Sequence, residues 1–84
     1  MEGKIKAEIK QISKLITNVT FCNCFGDCER PTIYIHHKPV TASYFHCVHV
    51  SSDGLMVNSN GHHPLEVHDA MNEAVKVARK HLGI

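Results

Sequence analysis

The clearest hydrophobic periodicity lies near the C-terminal end of the chain. From Pro64 to Leu82, apolar residues recur three or four positions apart, which is the spacing of one helical face. These residues are Val67, Met71, Ala74, Val75, Ala78 and Leu82. Pro64 suits the first helical turn and Gly83 suits the helix end, so the pattern predicts a helix between them.

Upstream of this helix, the pattern is typical of strands and tight turns. Asp53-Gly54 separates the apolar runs Tyr44 to Val50 and Leu55 to Val57, which predicts a β-hairpin. Thr32 to His36 is rich in β-branched and aromatic residues and predicts another strand. Val19 to Cys22 is suited to pair with that strand across the intervening loop.

The N-terminal segment, residues 4–17 and the two residues that follow, fits two patterns. A helical face would contain Ile5, Ile9, Ile12, Ile16 and Val19. The alternation of Ile5, Ala7 and Ile9 suits a strand instead, and the many β-branched residues from Ile12 to Thr20 weigh against the helix, although the helical pattern fits more positions. The chain is therefore predicted to be α+β, with an antiparallel sheet of three to four strands packed on a C-terminal helix, in the order αβββα or ββββα.

Length and composition limit the class of protein. The 84 residues, 43% of them hydrophobic, suit a single small globular domain spanning residues 1–84. The formal net charge of +1 lacks the basic excess that is typical of nucleic-acid and anionic-membrane binders. The chain has no run of about 18 apolar residues and no signal-peptide pattern at Met1, so we expect a cytoplasmic protein that does not bind membranes.

Four cysteines form the first candidate site. Cys22, Cys24 and Cys28 lie close together in the sequence, and Cys47 shares one face of a predicted strand with His49. Because thiolate and imidazole are good zinc ligands, one hypothesis is a Zn²⁺ site that contains the first three cysteines with Cys47 or His49. The spacing differs from the usual C-x2-C zinc knuckle, however. The alternative is that the cysteines pack as small buried hydrophobes and the protein has no cofactor.

The chain is also rich in histidine, with eight residues dispersed along it. His36-His37 ends a predicted strand and His62-His63 precedes the predicted helix. Neutral imidazole binds metals and protonated imidazole attracts anions, so one hypothesis is that the two pairs converge on a metal or an anionic ligand. The other interpretation is that they are solvated loop side chains.

The loop between the first two predicted strands is a candidate contact surface for a partner protein. Phe25 is apolar but lies among the turn residues Asn23, Gly26 and Asp27. An exposed Phe in a polar loop is suited to anchor a partner, whereas the other interpretation places this ring in the core. Phe25, Asp27 and Arg30 are therefore the predicted partner-binding residues.

The αβββα order also resembles that of the double-stranded-RNA-binding domain. The resemblance covers Pro31 to Leu82 and rests on Pro31, Thr32, Tyr34, Asp53-Gly54, Gly61, Ala70, Ala74 and Ala78. In that family the last helix begins with a lysine cluster that contacts phosphates, whereas this chain has Glu66 and Asp69 there. Because the RNA-binding residues are missing, the resemblance gives no family assignment.

The sequence contains no phosphate-binding glycine loop and no H-E-x-x-H motif. A thiol paired with a histidine, such as Cys28 or Cys47 with His49, has no local catalytic signature. We therefore expect a non-catalytic protein-binding or regulatory module, of the inhibitor or adaptor type, whose partner is another protein or a second copy in a homodimer. The alternative is a nucleic-acid-binding module, and a small thiol enzyme ranks third.

Overall fold

The computed structural model describes residues 2–22, 31–39, 41 and 43–83. In chain order the elements are α1 (Glu2–Lys10), β1 (Asn18–Cys22), β2 (Thr32–His37), β3 (Phe45–Ser51), β4 (Gly54–Asn60) and α2 (Leu65–Leu82). The strands form one antiparallel sheet in the order β1-β2-β3-β4. The α+β prediction is confirmed, with four strands and a helix at each end of the order.

The N-terminal segment is helical only in its first part. α1 ends at Lys10 and β1 begins at Asn18, so the predicted helical stripe is divided between a helix, a connecting segment and a strand. Ile9, Ile16 and Val19 are nevertheless all buried in one core. β-Branched side chains lose rotamer freedom in a helix, which favours the change to extended structure after α1.

α2 begins and ends where the sequence predicts. Gly83 follows the last turn with a φ of 77°, and its N–H donates to the carbonyls of Arg79 and Lys80. Glycine adopts this left-handed conformation without steric cost, and the hydrogen bonds satisfy carbonyls at the helix end. The helix packs on β2 and β3 and contacts α1. Its buried residues are Val67, Ala70, Met71, Ala74 and Ala78.

The core lies between α2 and one face of the sheet. Ile33 and Ile35 of β2 are paired with Val50 and Val48 of β3, and all four side chains are buried. Strand alternation places the residues between them on the opposite, open face. Among the described elements, neither helix contributes to that open face, because α1 packs against α2 and β1.

β4 extends the sheet beyond the helix. Val57 is paired with Val48 and Leu55 with Val50, so both residues of β4 point to the core side of the sheet. Among the described elements, α2 contacts β2 and β3 but not β4. Leu55 and Val57 are consequently 54% and 53% exposed, although their neighbours in β3 are buried.

Neither helix in the described ranges has the length and apolar character needed to cross a membrane.

Candidate functional site

Four histidines from separate parts of the chain meet at one end of the core. His37 ends β2, His46 is paired with it in β3, His63 lies between β4 and α2, and His68 is in the first turn of α2. The ring centre of His46 is 5.0 Å from that of His63 and 5.2 Å from that of His68. The ring centre of His63 is 6.1 Å from that of His68 and 6.0 Å from that of His37. These four residues are called the histidine cluster below.

Several ring nitrogens of the histidine cluster are buried and lack a hydrogen-bond partner among the described residues. They are His37 Nε2, His46 Nδ1 and both ring nitrogens of His63. A buried polar atom without a partner costs about 1–3 kcal/mol. Native structures keep few such atoms, so their concentration in one cluster is a reason to consider a ligand there.

The orientation of the His37 ring is set by the backbone. Its Nδ1–H donates to the carbonyl oxygen of Leu15, which can only accept a hydrogen bond. In the neutral ring, the proton on Nδ1 leaves Nε2 with a lone pair. His37 is only 5% exposed, so this lone pair lies in the protein interior.

The electrostatic environment favours the neutral form of His46. Burial lowers the pKa of His46 below its ordinary value, and the neighbouring His63, His68 and His37 lower it further. The neutral ring is the form that binds a metal ion. With the rings as they lie, however, no three His, Cys, Asp or Glu side chains of the described residues are arranged to hold a metal ion.

One member of each predicted histidine pair belongs to the histidine cluster. His37 and His63 meet there, whereas alternation along β2 directs His36 to the open face, and His62 is exposed. His36 accordingly contacts other residues, with its Nε2 3.2 Å from the hydroxyl of Thr20. The hypothesis of convergence therefore describes His37 and His63, and the solvated interpretation describes His62.

His46 and His68 were not predicted from the sequence to belong to a site. His46 lies on the same face of β3 as Val48 and Val50, and a polar residue on an apolar strand face was a signal that could have found it. His68 is exposed on α2 and had no comparable signal in the sequence. Its place beside His46 depends on how α2 crosses the sheet.

The described cysteines lie far apart on the sheet. Cys22 is paired with Thr32 at one end of β2, and Cys47 is paired with His36 near the other end. The two cysteines are therefore separated by four residues along the strands, about 13 Å, and by two strand spacings, about 10 Å. The predicted zinc site of Cys22, Cys24 and Cys28 with Cys47 or His49 stays a prediction, because Cys24 and Cys28 lie outside the described residues.

The remaining residues of the predicted cysteine and loop sites lie outside the described part of the chain. They are Cys24, Phe25, Asp27, Cys28 and Arg30. The hypotheses that involve them stay predictions.

Cys47 is a buried free thiol, and it occupies the same strand face as His49, as predicted. Burial raises the pKa of the Cys47 thiol. Because the thiolate is the form that attacks electrophiles and binds metals, this environment disfavours both roles for Cys47. His49 packs against Tyr34, with ring centres 4.5 Å apart.

A second candidate site is the outer side of β4, called the β4 edge below and consisting of residues Gly54–Asn60. All seven residues are exposed, and Met56 is 64% exposed on the face opposite to Leu55 and Val57. Edge strands are commonly protected by charged residues or proline, but β4 has neither. The β4 edge therefore combines backbone groups at the rim of the sheet with apolar side chains on both faces.

Comparison of the chain with protein-family models, with curated proteins and with solved structures finds no match.

Proposed function

We propose that this domain is a non-catalytic cytoplasmic protein-interaction module that binds a second copy of itself along the β4 edge. The observation that carries the proposal is that β4, an outer strand of the sheet without charged residues, exposes the side chains of Leu55, Met56 and Val57. An edge strand of this kind is a template for pairing with another strand.

Antiparallel pairing of β4 with β4 of a second copy relates the two chains by a twofold axis, as in a symmetric homodimer. In a register centred on Met56, Leu55 lies opposite Val57 of the second copy, on the core side of both sheets. Directly opposed cross-strand pairs contribute about 0.2–1 kcal/mol each, in addition to the burial of apolar area. The product is one continuous sheet of eight strands.

The chemistry of β4 favours a second copy as the occupant. A strand without charged residues brings no like charges together when it pairs with itself. Twofold pairing also makes the same surface complementary to itself, which is the arrangement found in most homodimers. The same surface would accept an uncharged strand of another protein. Sedimentation distinguishes this possibility from self-association.

Sedimentation of matched variants tests this proposal. Val57→Glu places a carboxylate next to the centre of the interface, directly opposite Leu55 of the second copy and about 7–8 Å from the same carboxylate of that copy. Leu65→Glu makes the same change at an apolar residue that is 74% exposed but lies in α2, outside the β4 edge. We expect the wild type and Leu65→Glu to dimerise and Val57→Glu to remain monomeric, with unchanged circular dichroism in all three.

Two results would contradict self-association along the β4 edge. The first is a wild-type protein that remains monomeric up to millimolar concentration, which would favour a different protein as the partner. The second is a Val57→Glu variant that dimerises as strongly as the wild type, which would place the interface elsewhere.

Nucleic-acid binding has less support. The four described strands contain no Lys or Arg, so the open face of the sheet offers no cation for phosphates. Glu66 and Asp69 are exposed at the start of α2, where a phosphate-binding helix would need positive charge. Tight RNA binding that weakens steeply with salt would favour this alternative instead.

A further inference from the structure

We propose that the histidine cluster is a zinc-binding site, in which His46, His63 and His68 bind the ion and His37 supplies a fourth ligand. The cluster adjoins the β4 edge only at its end, where Ser59 is paired with His46, and zinc binding does not depend on the self-association proposed above.

The first argument is the spacing of the rings. Two imidazoles on one tetrahedral zinc ion, with Zn–N distances of about 2.0 Å, have ring centres about 5 Å apart. The ring centres of His46 lie 5.0 Å from His63 and 5.2 Å from His68, and the remaining separation, between His63 and His68, is 6.1 Å. The three rings are thus within about 1 Å of the spacing that a shared ion requires.

Binding requires the rings to turn, because their nitrogens do not surround one point in the described conformation. His63 is in the segment between β4 and α2, and His68 is exposed on the first turn of α2. The exposed position of His68 allows its side chain to change its χ angles without displacing the core, whereas the ring of His63 turns within its contacts with the neighbouring rings. His46 and His37, in contrast, are held in neighbouring strands and provide the rigid half of the site.

The second argument is the set of buried nitrogens without partners. Both ring nitrogens of His63 are buried and have no hydrogen-bond partner in the part of the chain that the structure describes, although a neutral ring presents one donor and one lone pair. A zinc ion would accept a lone pair from His63 and from His46, and so would satisfy atoms for which the described residues provide no partner.

The third argument is the hydrogen bond between His37 and Leu15. Histidines that bind metals commonly donate their other ring N–H to a backbone carbonyl or a carboxylate, which fixes the tautomer and the ring orientation. The Nδ1–H of His37 donates to the carbonyl of Leu15, and Nε2 is the buried atom that remains. His37 therefore already has the arrangement of a metal ligand.

The ligand set identifies the class of metal. Imidazole nitrogens suit zinc and neighbouring transition metals, whereas calcium and magnesium require oxygen ligands. The histidine cluster contributes four imidazoles from β2, β3, the segment before α2 and α2 itself. An ion there would connect the sheet to the start of α2, and we expect it to raise the stability of the domain.

Metal titration of defined variants tests the site. Protein freed of metal with a chelator is titrated with Zn²⁺ by calorimetry and with Co²⁺ by visible absorption, at a pH where histidine is neutral. We expect one ion per chain and a tetrahedral Co²⁺ spectrum without the near-ultraviolet band of thiolate ligands. His63→Gln and His68→Gln should each weaken zinc binding at least about 100-fold, since even losing a hydrogen-bond partner of a ligand costs about 10–100-fold.

The neighbouring residue provides the matched control. His62→Gln makes the same change one position from His63, at an exposed side chain outside the histidine cluster, and should bind zinc as the wild type does. Val57→Glu should also keep full zinc affinity, which separates this proposal from the dimer. Circular dichroism checks folding, and His68→Gln remains decisive if His63→Gln unfolds, because His68 is exposed.

Three results would overturn the proposal. They are the absence of stoichiometric zinc binding by the wild type, a thiolate band in the Co²⁺ spectrum, and zinc affinity that His68→Gln leaves unchanged. The second result would assign the metal to the cysteines instead.

Discussion

The backbone of Gly61 lies so close to Tyr44 that a Cβ atom on residue 61 would be 2.8 Å from the Cβ of Tyr44. Gly61 also has a φ of 86°, in the left-handed region that other residues adopt at a cost. The ring of Tyr44 in turn lies 4.9 Å from that of His63, centre to centre. The close approach of Gly61 to Tyr44 therefore positions the segment that contains His63 beside the ring of Tyr44.

Replacing this glycine should damage both the fold and the histidine cluster. We expect Gly61→Ala to lower the free energy of unfolding by about 1–3 kcal/mol, because the new methyl group meets Tyr44 and the φ angle is strained. Urea unfolding measures the loss. Gly3→Ala is the control, since a Cβ at Gly3 in α1 meets nothing within 4 Å and should leave stability unchanged or higher. If Gly61→Ala and the wild type are equally stable, the close contact between Gly61 and Tyr44 does not constrain the fold.

The contact between the two helices should make stability depend on pH. His81 Nε2 lies 2.7 Å from Glu8 Oε2, and this hydrogen bond, with the charges of His81, Lys80 and Lys4, lowers the pKa of Glu8. A carboxyl whose pKa is lower in the folded state stabilises the fold above its unfolded pKa, near 4.5. That contribution is lost as the pH falls through the lowered pKa of the folded state.

Glu8→Gln should therefore be less stable than the wild type at pH 7, and the difference should disappear in acid. Urea unfolding at pH 7 and at about pH 3 measures both values. Glu73→Gln is the control, because Glu73 pairs with Lys76 within α2 and both side chains are highly exposed. If the two proteins differ in free energy of unfolding by the same amount at both pH values, the ionised Glu8 carboxylate is not the source of the stabilisation.

Cys47 should react slowly in the folded protein. Its side chain is 6% exposed and burial raises its pKa, so little accessible thiolate is present near neutral pH. We expect iodoacetamide to label Cys47 much more slowly in buffer than in denaturant, as followed by mass spectrometry of the peptide that contains it. Labelling of Cys47 at the same rate in both conditions would show that the thiol is accessible and would revive its role as a nucleophile.

The side chain of Met71 should contribute far more to stability than an exposed apolar residue of similar size. Met71 is 2% exposed and belongs to the core, so Met71→Ala should cost about 2–5 kcal/mol. Leu65→Ala removes a comparable side chain that is 74% exposed, and should cost less than about 0.5 kcal/mol. Thermal or urea unfolding compares them. Similar losses in the two variants would contradict the assigned core.

Local patterns predicted the elements of the fold well. The apolar stripe between Pro64 and Gly83 predicted α2, and Asp53-Gly54 predicted the turn between β3 and β4. Both signals act over a few residues, through helical periodicity and turn geometry. The end of α1 was harder to predict, because Ile12 and Ile16 fit a helical face and yet contribute to the core from the segment that follows the helix.

The two candidate sites depend on tertiary structure, and the sequence therefore predicted little of them. The convergence of His37 with His63 was one of two open interpretations, while His46 and His68 join them only because α2 crosses this end of β3. The exposure of Leu55 and Val57 likewise depends on the fact that α2 stops short of β4. Neither relation is encoded in local periodicity.

Self-association along β4 is tested most directly by amide hydrogen exchange, followed residue by residue at increasing protein concentration. If β4 pairs with a second copy, exchange of its amides should slow as the concentration rises, because hydrogen bonds form along the outer side of the strand. The amides of β1, the other outer strand of the sheet, provide the internal control and should exchange at a constant rate. Exchange in β4 that is independent of concentration, or slowing confined to β1, would contradict the proposed interface.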